Sequence, residues 1–63
     1  MTEMIAQITE KMIAYDSGDI HRIEHFIKVY GYASAIGKLE GLDPRTQELL
    51  EAAALLHDIG IKV

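Results

Sequence analysis

The sequence predicts an all-α chain of three helices, and three observations carry that prediction. Apolar residues recur at three- and four-residue intervals along most of the chain, which is the repeat of a helical face. Turn formers interrupt the pattern twice, at Asp16-Ser17-Gly18-Asp19 and at Gly41 with Asp43-Pro44. No stretch alternates polar and apolar residues for long enough to make a convincing strand. The expected helices span about 3–15, 20–40 and 44–59.

In the first helix, Met4/Ile5, Ile8, Met12 and Tyr15 share one face. Thr2 suits the N-cap, and Glu3 suits the positive end of the helix dipole. Asp19 is placed to cap the second helix, whose face is Ile20, Ile23, Phe26/Ile27, Tyr30, Ala33 and Ile36/Gly37, widened by Val29 and Tyr32. Gly31 and Gly37 each cost about 1 kcal/mol relative to Ala in a helix interior, and close helix approach would account for them. Gly41 is a good C-terminal stop. Asp43 is the expected N-cap of the third helix, with Pro44 at its first position. From Leu49 to Leu56 that helix is apolar nearly all round, the pattern of a central helix with neighbours on several sides. Gly60 is expected to end it, and Ile59, Ile61 and Val63 alternate with Gly60 and Lys62.

Two other helices barely cover such a surface. Self-association is therefore expected, with a symmetric dimer the commonest solution. The finish at Ile61-Lys62-Val63 is neither a polar tail nor a capped stop, so residues 1–63 read as one incomplete helical domain.

Composition narrows the function. At 63 residues, a folded domain buries only about 60% of the surface that its unfolded chain exposes and needs outside help. The absence of cysteine excludes disulfides and thiolate zinc sites. Help must come from a metal held by His and carboxylate, from a partner, or from more of the protein. Hydrophobic residues make up 49% of the chain, which argues against disorder. Six Lys and Arg against ten Asp and Glu give a formal charge of -4, which disfavours a nucleic-acid surface. No apolar run reaches the roughly 20 residues that span a bilayer. The acidic start, Met1-Thr2-Glu3-Met4, lacks the features of a secretory signal, so a cytoplasmic setting is expected.

Three histidines are the candidates for chemistry. His21 and His25 stand four apart on one helical face. They can bind one divalent metal or simply be polar helix residues. His57-Asp58 closes the most hydrophobic stretch, at a helix end whose partial negative charge favours a cation. A neutral imidazole beside an anionic oxygen suits Mn, Fe, Co, Ni or Zn. Alternatively, His57 complements the helix dipole and Asp58 is a solvated carboxylate.

The flanking residues point further. Ala53-Ala54-Leu55-Leu56-His57-Asp58-Ile59-Gly60 resembles the second motif of the HD-domain metal-dependent phosphohydrolases. His25-Phe26-Ile27-Lys28-Val29 resembles that family's first motif, a His followed three and four residues later by a basic residue and Val, and Ala33 fits the small residue beyond. His25 and His57 stand 32 residues apart, as expected of the family. Asp19-Ile20-His21-Arg22-Ile23-Glu24-His25 resembles the entry used by one bacterial branch. The likeness runs from Asp19 to Gly60, about two-thirds of the chain.

This resemblance implies the N-terminal portion of an HD-domain helical bundle. It implies His25, His57 and Asp58 as ligands of a divalent ion, with Mn, Fe, Co, Ni, Mg and Zn all open. His21 is left to line the pocket or support a ligand. Arg22 and Lys28 could face phosphate or could be plain solvated cations, and Lys28 stands where Arg is commoner. The family's signature closes with a separate Asp on a later helix, and no Asp or Glu of this chain matches it. The implied activity is hydrolysis of a phosphate ester, commonly of a nucleotide, in which the metal polarises a phosphoryl oxygen and activates water. The expectation is an N-terminal fragment of such an enzyme, without competence of its own. Two alternatives stand beside it: a non-enzymatic, self-associating helical module with incidental histidines, and a small metal-binding bundle using His21 and His25.

Overall fold

The computed structural model describes the backbone of residues 1–62 and the side chains of residues 1–57. It contains α1 (Glu3–Tyr15), α2 (Ile20–Leu39) and α3 (Pro44–Lys62), and no strand among the described residues. Each helix starts on a side-chain oxygen that satisfies an amide the helix itself cannot. The Thr2 hydroxyl accepts from Ile5 N at 3.2 Å, Asp19 from Arg22 N at 3.1 Å and Asp43 from Thr46 N at 3.1 Å. The Thr46 hydroxyl also donates to Asp43 at 2.6 Å. These two bonds from Thr46 hold the Asp43 carboxyl below the usual carboxylate range.

The connections follow from two glycines. Gly18 (φ 89°) and Gly41 (φ 72°) take left-handed backbone conformations that other residues rarely adopt. At the end of α2, Leu42 N donates to Gly37 O and Gly41 N donates to Lys38 O, each at 3.1 Å. This paired bonding closes the helix in a Schellman motif. Gly60 behaves differently, because α3 continues through it to Lys62. The expected stop at Gly60 is thus corrected: a glycine costs a helix only about 1 kcal/mol and breaks it only where the chain turns. The expected alternation beyond it gives way to helix, with Val63 and the side chains of Ile59 and Ile61 outside the described residues.

α3 packs against both α1 and α2, more extensively against α2. The buried core is Ile5 and Met12 from α1, Phe26 from α2 and Leu55 from α3, with Ile8, Ile23, Tyr30 and Ala52 packed around it. Neighbouring residues on a helix point about 100° apart, so only one of each adjacent apolar pair can face this seam. The seam takes Ile5 rather than Met4, Phe26 rather than Ile27 and Gly37 rather than Ile36. Tyr15 and Tyr32, read as inward-facing, are 57% and 65% exposed.

The close approach expected of the glycines occurs at Gly37 and not at Gly31. A β-carbon on Gly37 would lie 2.8 Å from Gln47 Cδ, whereas one on Gly31 would meet nothing. Gln47 Nε2 donates to the Ser34 carbonyl at 3.1 Å and to Glu51 at 2.6 Å. One carboxamide thereby ties the C-terminal half of α2 to the N-terminal half of α3. At the other end of α2, Arg22 Nε lies 4.0 Å from Asp16 and 3.9 Å from Asp19, bracing the α1–α2 turn.

Candidate metal centre

The short link from α2 to α3 makes the two helices antiparallel. Ser34 and Gly37 face Gln47, and so the start of α2 meets the end of α3. The two first-motif and second-motif histidines come together there. The rings of His25 and His57 have centroids 5.7 Å apart, tilted by 52°. Both residues are exposed, so an ion could reach them from solvent. His57 Nδ1 lies 2.8 Å from the Ala54 carbonyl oxygen on its own helix.

This spacing is slightly wider than that of two rings on a shared metal. Two imidazoles bound at 2.0–2.1 Å to one ion place their ring centroids about 4.5–5.5 Å apart. A small rotation of two exposed side chains closes the difference. Asp58 lies on α3, but its side chain is outside the described residues. Among the described residues, no group of three or more His, Cys, Asp or Glu side chains is placed to hold an ion.

His21 sits one turn before His25 and is exposed. The ring contact across the helix seam is made by His25 and His57, which draw on both motifs. Lys28 is exposed three residues beyond His25 and therefore near the same face. Arg22 is half-buried, with its guanidinium beside Asp16 and Asp19. Those contacts are what a turn brace needs, and a role at phosphate would have to compete with them.

A family model described as HD domain matches residues 22–61, which include His25, His57 and Asp58. The chain belongs to the HD-domain family. No curated protein and no solved structure shows a significant match. As a class, HD domains are metal-dependent phosphohydrolases that bind divalent ions and act on phosphate esters.

Two carboxylates of this HD domain escape a reading by residue type. Glu51 and Asp16 are each only 5% exposed. Carboxylates are rarely buried, so both look like surface residues in the sequence. A face-by-face reading would have found Glu51, because Gln47, Glu51 and Leu55 stand at four-residue steps along one stripe of α3. Glu51 lines a cleft of ≈ 190 Å³ with Thr2, Tyr30, Ser34, Lys38 and Gln47. This cleft lies toward the opposite end of the α2–α3 seam from the histidines. Burial and the nearby Glu51 carboxylate raise the Tyr30 pKa above 10.0, against a smaller opposing effect of its hydrogen bond with Ser34.

No described helix is long and apolar enough to cross a membrane.

Proposed function

We propose that His25, His57 and Asp58 bind one divalent metal ion and that the HD domain built on them hydrolyses a phosphate ester, with a nucleotide as the substrate class. The observation that carries this reading is the juxtaposition of the His25 and His57 rings across the α2–α3 seam, 5.7 Å apart. Two imidazoles and a carboxylate form a donor set suited to first-row divalent metals. The ion, when bound, supplies Lewis-acid polarisation of a phosphoryl oxygen and a water of lowered pKa. The chain's own residues provide position. α2 and α3 hold the two rings on facing helices, and Lys28 stands one turn from His25, where its ammonium can meet a phosphate oxygen as a point charge. Part of the same reading is a further carboxylate ligand, as the family pattern has it.

Titration with Zn²⁺ or Mn²⁺ tests the ligand set. His25→Ala and His57→Ala should each weaken binding by more than about tenfold, since even the residues that support metal ligands are worth 10–100-fold. His21→Ala should leave affinity nearly unchanged. Loss of binding in His21→Ala together with retention in His57→Ala would contradict the assignment and favour a site made by His21 and His25.

A further inference from the structure

We infer that the Ala54 carbonyl fixes His57 in the tautomer that carries its proton on Nδ1, so that Nε2 is the nitrogen His57 presents to a metal. Resting on the proposed metal centre, this inference adds an atom-level role for a backbone group within α3.

The geometry leaves little freedom. Nδ1 of His57 lies 2.8 Å from the Ala54 oxygen, within the range of a good N–H···O bond. A carbonyl oxygen has no proton and can only accept. The bond therefore exists only when Nδ1 bears the hydrogen. In the neutral ring the lone pair then lies on Nε2, because one ring nitrogen donates while the other accepts. Ala54 is three residues before His57 on the same helix, so the acceptor is built into α3 and needs no second element to hold it. Ala54 lies within α3, which runs on to Lys62, so the regular helix backbone holds this acceptor in place.

Two consequences follow. The ring's rotation is restricted by a bond to a rigid acceptor, which reduces the entropy lost when a metal is captured. The same bond fixes which way the ring faces, as backbone acceptors do for histidines that bind metals. His57 is thus set up as a ligand before any ion arrives, with the His25 ring centroid 5.7 Å away.

The test is a two-bond ¹H–¹⁵N correlation spectrum of the histidine-labelled, metal-free chain, recorded at about pH 8, where imidazole is neutral. The expected pattern for His57 is a protonated Nδ1 and a lone-pair Nε2. A protonated Nε2 would overturn the inference. Addition of Zn²⁺ should then move the Nε2 resonance while Nδ1 keeps its proton, and movement of Nδ1 instead would overturn it as well. The tautomer is read without metal, so its failure is distinguishable from failure of the metal centre. If zinc left both His25 and His57 unmoved, the metal-centre reading would fall, and the role given to the tautomer with it. His57→Gln and His57→Asn give an independent check, since the Gln amide reaches toward the Nε2 position and the Asn amide toward Nδ1. Zinc affinity should fall less in His57→Gln, and the reverse order would count against the inference.

Discussion

At Gly37 the absence of one methyl group lets two helices meet. A β-carbon there would fall on the Gln47 carboxamide. Gln47 could swing aside, but only by giving up its bonds to the Ser34 carbonyl and Glu51. Gly37→Ala should therefore destabilise the fold by about 1–3 kcal/mol, the usual cost of overpacking, despite the better helix propensity of alanine. In a Gln47→Ala background the same change should be close to neutral. Denaturant unfolding of the four proteins of this cycle gives the coupling, and additive effects would show that Gln47 does not fill the space. Gly31 and Gly37 look alike in the sequence, and their difference is legible only once the partner helix is in place. The same holds for Glu51, whose burial depends on lying in line with Leu55.

Tyr30 carries the pH dependence at this scale. Its raised pKa favours the neutral phenol in the folded chain. An unfolded tyrosine ionises near pH 10. The contribution of Tyr30 to stability is then complete below about pH 10 and is lost as pH rises through the higher folded value. Thermal unfolding followed from about pH 8 to 11 should show this decline in the native chain and a flatter one in Tyr30→Phe, which cannot ionise. Equal slopes would mean that Tyr30 titrates alike in both states.

Among the helices, the starts were legible and the packing faces only partly so. Thr2, Asp19 and Asp43 cap as their residue types suggest, because an N-cap is a local bond between a side chain and an amide three residues on. The Gly41 stop is local too. Gly60 shows the limit of that logic: the same residue type ends one helix and is passed over in another. Choosing Phe26 over Ile27, or Ile5 over Met4, requires knowing where the neighbouring helix lies. At the candidate site, motif spacing located His25 and His57, while their approach to 5.7 Å depends on the antiparallel packing of α2 and α3. The His57–Ala54 bond is invisible to residue type altogether, since its acceptor is backbone.

The whole molecule is slender, 36 × 20 × 19 Å, and only four hydrophobic side chains among the described residues are buried. A core of that size is small for a stable isolated domain. On the outer side of α3, Leu49 is 53% and Leu56 42% exposed, with exposed Ala53 between them at helical spacing. Leu56 also borders an almost wholly apolar groove with Ile8, Lys11, Met12 and Tyr15. We propose that this surface drives self-association in solution. Sedimentation at increasing concentration should show a monomer–dimer equilibrium that Leu49→Glu with Leu56→Glu shifts to monomer. A native chain that stays monomeric at tens of micromolar would contradict this.

Metal binding is the claim on which the functional account of this HD domain rests. An anomalous difference map from crystals of the zinc-loaded protein tests it most directly. The account predicts one ion within about 2.0–2.1 Å of both His57 Nε2 and a ring nitrogen of His25, with the Asp58 carboxylate as a further ligand. An ion held by His21 and His25 without His57, or no ion between the α2 and α3 histidines at saturating zinc, would contradict it.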